Sequence, residues 1–243
     1  VSAFSERTRV LFLSHITSET GIVFPIKAAV EQARKQNIIT VIDGAHALGH
    51  IPLNLAEIGA DFYAGNCHKW LMAPKGSAFL FATPEMQSQL DPLVISHGWT
   101  KQARLAGAKG AFGNSPFIDG IEMQGTRDPS AWLSVPAAIE FRKRHNWDEV
   151  ARHCQDLAQE TGRRLARLTG LAPLGSAQFC APQMVAMPIC DCDPIELKRK
   201  LLQRYNIEIP VFKWHQQTIV RLSVQGYNTR AQMDILIKAL SEL

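Results

Sequence analysis

The apolar positions in the first half of the chain alternate between short runs and stretches with helical spacing. Residues 10–13 (VLFL) and 38–42 (IITVI) are apolar runs typical of buried strands. Between them, residues 25–35 repeat apolar side chains at the spacing of an amphipathic helix. A short helix and two further strands are predicted at residues 53–58, 61–64 and 78–81. The order strand, helix, strand, short helix, strand over residues 10–64 predicts parallel pairing in a layered α/β domain.

The rest of the chain predicts a long connection followed by a second domain. Residues 98–130 are rich in Gly and polar residues without a clear period, which predicts a long functional or mobile loop. The elements predicted after it are helices at 131–144, 147–168, 194–205 and 229–240, and strands at 184–189, 207–211 and 218–224. We therefore expect a partial large domain over 1–146 and a smaller C-terminal α/β domain over 147–243.

Composition excludes several classes of protein. The hydrophobic fraction of 46% and charged fraction of 20% are ordinary for a globular chain, and no apolar run is long enough to span a membrane. The net charge of +4 is mild, and the basic residues have helical spacing without a nucleic-acid-binding motif. Five cysteines without disulfide-framework spacing indicate a reducing, cytoplasmic setting. The CDCD run at 190–193 has no partner pattern for a metal site.

Four residues with reactive or ionisable side chains lie at, or soon after, the ends of two predicted strands. Asp43 ends the strand TVID, with His46 soon after it, and His68 and Lys69 follow the next strand in GNCHKW. Carboxyl ends of parallel strands meet at one edge of a sheet, where ligands bind. A lysine with a lowered pKa can form a Schiff base with an aldehyde, an aspartate can pair with a pyridinium nitrogen, and a histidine can donate to a phosphate. Taken singly, each residue also fits a helix cap, a solvated lysine or a structural histidine.

Two longer segments make the chain resemble a known family. VIDGAHALG followed by GADFYAGNCHKWLMAPKG resembles the cofactor core of the class V aminotransferases, which are fold-type I enzymes that use pyridoxal phosphate. SHITSETG, MQGTRDPSAWLSVPAAIEF and VRLSVQGYN resemble the isopenicillin N epimerase branch in particular. The resemblance runs from about residue 9 to the C-terminus. It implies a three-layer, mostly parallel-sheet large domain, of which the N-terminal part is absent here, and a smaller C-terminal domain.

The same resemblance implies a role for each matching residue. Lys69 would bind the cofactor covalently and shuttle the α-proton of an amino-acid-like substrate. The other expected cofactor and substrate contacts are Asp43 to the pyridine nitrogen, His46 near the ring hydroxyl, His68 to the phosphate, Thr126 across a dimer interface to the neighbour's phosphate, and Arg221 to the substrate carboxylate. We expect a homodimer with a shared active site, or a second chain that supplies the N-terminal part, with its phosphate-cradling loop.

The core motif leaves the reaction open. Removal of the α-proton precedes epimerisation, transamination and β-elimination alike, and Lys69 would act as acid and base in each. A cysteine desulfurase of this family needs a nucleophilic cysteine before the carboxylate arginine, and residues 210–221 contain none. We therefore favour an isopenicillin-N-epimerase-like enzyme over an aminotransferase or C–S lyase. A non-catalytic binding or assembly subunit is the alternative from a different class.

Overall fold

Two β-sheets form the framework of the chain in the computed structural model, which describes residues 3–100 and 109–243. The first sheet has the order β1 (Val10–Ser14), β2 (Ile39–Asp43), β3 (Phe62–Asn66) and β4 (Ala78–Ala82). The second has the order β5 (Met184–Ile189), β7 (Gln217–Ser223) and β6 (Val211–Trp214). The α-helices are α1 (Ile26–Arg34), α2 (Leu55–Ile58), α3 (Pro116–Glu122), α4 (Ser130–Leu133), α5 (Val135–Arg144), α6 (Trp147–Thr169), α7 (Pro194–Tyr205) and α8 (Arg230–Glu242), with 3-10 turns at Gln87–Gln89 and Ala177–Phe179.

The first sheet is parallel except at its last strand. β1, β2 and β3 pair in parallel, with Ser14 opposite Asp43 and Asp43 opposite Ala64. The parallel pairing predicted for the three strands over residues 10–64 is confirmed, and β4, whose direction was left open, pairs antiparallel with β3. The reason is the connection 67–77, which carries no helix and returns the chain beside β3, whereas a parallel pair needs a crossover.

The two faces of the first sheet are covered unequally. Ile42 and Tyr63 on one face are buried in a cluster with Ile26 and Val30 of α1. Phe12, on the opposite face of β1, is 68% exposed. Within the described residues, the three-layer arrangement expected from the sequence is therefore complete on one face of the sheet and incomplete on the other.

The segment predicted as a loop and the helix predicted after it both differ from expectation. Residues 101–108 lie outside the described part of the chain, but the predicted loop 98–130 also contains α3, which Ser115 caps and Pro116 begins. The helix predicted over 131–144 is divided into α4 and α5. Pro136 has no N–H with which to continue the helical ladder, so a new helix starts around it.

The second sheet packs against three long helices. All six residues of β5 are buried. Helix α6 lies so close to β5 that a Cβ on Gly162 would be 2.9 Å from the Val185 side chain. The strand predicted at 207–211 is misplaced, since β6 begins at Val211; Pro210 has no N–H for a strand ladder.

No helix in the described ranges combines the length and apolarity needed to cross a membrane. The domain limits 1–146 and 147–243 stay a prediction, although α6 begins at Trp147.

Candidate functional site

The carboxyl edge of the first sheet holds Asp43 in a fixed orientation. The Asp43 carboxylate accepts the backbone N–H of Ala45 at 2.9 Å on one oxygen and the Ser14 hydroxyl at 3.5 Å on the other. The Ser14 bond arises from the register, because Ser14 and Asp43 are paired at the ends of adjacent strands, whereas the Ala45 bond is local to the turn after β2. The carboxylate is thus ordered at the edge where parallel strands present ligands.

Tyr63 supports the turn that follows Asp43. A Cβ on Gly44 would lie 2.0 Å from the Tyr63 ring, so only glycine permits this close approach of the backbone to the ring. The Tyr63 hydroxyl is 2.8 Å from His15 Nδ1. Burial, together with the charge of Asp43, raises the pKa of Tyr63 above its usual range, so the hydroxyl stays protonated. This buried support keeps the turn and the carboxylate in place.

Lys69 lies in a closed loop between β3 and β4. The Cys67 N–H donates to the Ser77 carbonyl and the Ala73 N–H to the Cys67 carbonyl, each at 3.0 Å, which holds residues 67–77 in shape. The Lys69 ammonium has no hydrogen-bond or ion-pair partner within ranges 3–100 and 109–243, and its side chain is half-buried. Burial lowers the pKa of Lys69; Asp43 opposes this shift and Arg221 adds to it. A lysine in such surroundings is a suitable nucleophile towards an aldehyde.

His46 is buried between these groups. Trp70 Nε1 donates to His46 Nδ1 at 3.2 Å, and His46 Nε2 is 3.2 Å from Ser18 Oγ. Burial first, and then the charges of Lys69 and Arg221, lower the pKa of His46 to about 4 against the opposing effect of Asp43. The imidazole is therefore neutral at physiological pH.

Arg221 brings the second sheet to the same site. Its Nη1 donates to the Ser18 carbonyl at 2.5 Å, across 203 positions of sequence. Its Nε is buried and has no hydrogen-bond partner in the described part of the chain. A buried unpartnered donor is costly and fits a site that a ligand oxygen completes.

Two predicted site residues stand apart from this group. His68 is half-buried, and its Nδ1 is 3.4 Å from the Ser77 carbonyl, within the same loop as Lys69. Thr126 is exposed in the connection between α3 and α4, and the described hydrogen bonds do not join it to Asp43, His46 or Lys69. Its expected contact across a dimer interface stays a prediction.

Three contacts of the site were not predicted from the sequence. Ser18 lies in the SHITSETG segment and touches both His46 and Arg221. Trp70 follows Lys69 directly, and His50 stacks on it at 3.9 Å between ring centroids. The signal for Trp70 and His50 was present as GNCHKW and GAHALGH, but only the packing of the two loops shows that they meet.

Comparison with known proteins finds a matching family model and similar curated proteins. The family model described as Aminotransferase class-V matches residues 1–236. Isopenicillin N epimerase from Amycolatopsis lactamdurans is 35% identical over 245 residues, covering 100% of this chain and 62% of that protein. A probable chloroplastic L-cysteine desulfhydrase from Arabidopsis thaliana is 31% identical over 219 residues, covering 86% of this chain and 44% of that protein.

A solved structure shows the same fold. The cysteine desulfurase CsdA from Escherichia coli superimposes with a TM-score of 0.80 at 20% identity, covering 99% of this chain and 60% of that one. The chain thus spans 62% of the length of the isopenicillin N epimerase it matches. At this identity the structural similarity concerns the fold alone.

Proposed function

The chain belongs to the class V aminotransferase family, and from this premise we propose that it is a pyridoxal-phosphate-dependent enzyme resembling isopenicillin N epimerase. Its substrate would be an amino acid or an amino-acid-derived molecule. Lys69 would remove the α-proton and return it. The observation that carries the proposal is the meeting of Asp43, His46, Lys69 and Arg221 at one sheet edge.

The residues present fit the cofactor. Asp43 supplies an ordered carboxylate for a pyridinium nitrogen, and Lys69 supplies a partly desolvated amine whose pKa burial lowers. Arg221 supplies a buried Nε without a partner in the described residues, suited to a ligand carboxylate. When bound, pyridoxal phosphate supplies an electron sink for the charge left by α-proton removal.

The chain's own residues divide the remaining work. Asp43 would keep the ring nitrogen protonated, and His68 would contact the phosphate together with Thr126 of a second copy. Arg221 would orient the substrate through its carboxylate, in the bidentate geometry that a guanidinium provides. Lys69 would then hold or release a proton at the substrate α-carbon.

Epimerisation is the outcome we favour among three. The most direct support is the identity of 35% to isopenicillin N epimerase across this whole chain. The similarity to a probable L-cysteine desulfhydrase supports C–S lyase chemistry as the alternative on the same scaffold, and transamination is a third. Residues 210–221 contain no cysteine, which disfavours a desulfurase.

A non-catalytic binding or assembly subunit is the alternative from another class. Such a subunit would keep the fold and would bind a partner instead of turning over a substrate. The presence of Lys69, Asp43 and Arg221 together favours catalysis.

The test begins with the visible absorption spectrum of the purified chain with added pyridoxal phosphate. We expect a yellow band that borohydride fixes onto Lys69, identified by peptide mass. A panel of L- and D-amino acids in deuterated water then separates the outcomes. Deuterium at the α-carbon with mixed stereochemistry indicates epimerisation, a keto acid indicates transamination, and sulfide indicates lyase activity. Absence of the band would contradict catalysis by this chain alone.

A further inference from the structure

We propose that Trp70 is a positioning residue that holds His46 as the neutral Nε2–H tautomer, so that His46 presents a hydrogen-bond donor to the site. The tautomer follows from contacts within the chain. The identity of the oxygen that receives this hydrogen bond, a ring oxygen of the cofactor, rests on the proposed function. Trp70 donates a hydrogen bond to His46 and acts on the site through that contact.

The indole determines which imidazole nitrogen is protonated. An indole Nε1–H can only donate, and it lies 3.2 Å from His46 Nδ1. Nδ1 must therefore carry a lone pair, and the single proton of the neutral ring is on Nε2. Nε2 faces Ser18 Oγ at 3.2 Å, which can accept this proton. If His46 were doubly protonated, its Nδ1–H and the Trp70 Nε1–H would both be donors, and this hydrogen bond could not form.

A second histidine and a backbone bond hold the indole in place. The Gln183 N–H donates to His50 Nε2 at 3.0 Å, so the His50 proton is on Nδ1, which donates to the His46 carbonyl at 3.1 Å. The His50 ring stacks on the Trp70 indole with an interplanar angle of 21°. Arg142 donates to the Trp70 carbonyl at 2.8 Å. Trp70 is thus fixed at its ring and at its backbone.

Gly49 lets the two loops approach closely enough for this contact. Its φ is +76°, and a Cβ there would lie 2.7 Å from Leu71 N and 2.8 Å from the Trp70 carbonyl carbon. Any larger residue would push the turn that carries His46 away from the loop that carries Trp70. Two loops that follow different strands are therefore locked together with His46 between them.

The consequence is a site that selects an acceptor. The Nε2–H donates to Ser18 Oγ in the described chain, so a ligand atom that takes the place of this oxygen must accept a hydrogen bond, and a ligand group that only donates is disfavoured. Under the proposed function, the ring oxygen of pyridoxal phosphate, beside which His46 is expected to lie, would be this acceptor. The same bond would leave Nε2 unable to accept a proton, so His46 positions the ligand and Lys69 remains the residue that moves protons.

The tautomer can be measured in the cofactor-free chain. In long-range ¹H–¹⁵N spectra of the labelled wild-type chain, with His46 assigned by its loss in His46→Gln, we expect an unprotonated Nδ1 and a protonated Nε2. A nitrogen–nitrogen scalar coupling across the Trp70–His46 hydrogen bond is expected in the same sample. An Nδ1–H tautomer, or the absence of this coupling, would overturn the proposal without the need for any variant.

Variants then test whether Trp70 sets the tautomer. Trp70→Phe is expected to give mixed tautomers and an upward shift in the pKa of His46, whereas Trp132→Phe, a change on exposed α4, should leave both unchanged. A single Nε2–H tautomer that persists in Trp70→Phe would refute the positioning role. If the expected tautomer is found but the wild-type chain gives no band with pyridoxal phosphate, the proposed function fails and this inference stands.

Discussion

The two sheets of the molecule differ in how completely their residues are buried. All six residues of β5 are buried, and β5 and β7 contribute to a cluster with α6, α7 and α8. In the first sheet β1 is an outer strand, and Phe12 on it is 68% exposed. The second sheet therefore supplies a closed core, whereas the first supplies most of the candidate site. The comparison indicates that most of the candidate site residues and the more completely covered core lie in different parts of the chain.

The largest expected effect concerns the first sheet's site. Lys69→Ala should abolish the visible band with pyridoxal phosphate and all turnover, because it removes the amine on which both depend. Absorption spectra before and after borohydride are the measurement. Lys75→Ala, an exposed lysine of the same loop, is the matched control and should behave as wild type. A band that survives in Lys69→Ala would disprove the assignment of this lysine.

The next largest effect concerns the core that the second sheet forms with α6, α7 and α8. Leu165 on α6 is 0% exposed in the cluster against β5, and Leu165→Ala should lower the free energy of unfolding by about 2–5 kcal/mol. Leu168→Ala on the same helix, where the side chain is 40% exposed, should cost less than about 1 kcal/mol. Urea unfolding measures both. Equal losses would mean that the core does not lie where α6 meets β5.

A third effect is a pH dependence from the histidines of the first region. Burial lowers the pKa of both His46 and His50 to about 4, from 6.5. Between these values the unfolded chain binds protons that the folded chain does not, so stability is fully present above pH 6.5 and falls as the pH approaches 4. His46→Gln or His50→Gln should flatten the dependence of the urea midpoint on pH.

The control for that dependence is His153→Gln, an exposed histidine on α6 in the second region. It should leave the slope of the urea midpoint between pH 6.5 and 4 unchanged, because the buried imidazoles of His46 and His50 are intact. If the slope instead persists in the His46→Gln, His50→Gln double variant, another group is responsible for it. The pH dependence of stability would then belong to a titrating residue outside the candidate site.

The sequence predicted the local parts of this arrangement and not the contacts between its loops. Asp43 and Lys69 could be placed because each follows an apolar strand, and strand ends are recognisable from the pattern. The antiparallel direction of β4 could not be predicted, because it depends on the connection 67–77, which has no periodic pattern. The bond from Trp70 to His46 depends on how closely Gly49 lets two loops pack, which no single segment encodes.

The smallest expected effect tests the exposed face of the first sheet. Phe12→Ser should change the free energy of unfolding by no more than about 0.5 kcal/mol, because the ring has little contact to lose, and it should reduce self-association of the chain. Urea unfolding and sedimentation velocity measure the two effects. Leu13→Ser is the matched control, since Leu13 packs against the buried cluster of the other face and should cost several times more. A loss of several kcal/mol in Phe12→Ser would show that this face is covered in solution, and the contrast between the two sheets would then disappear.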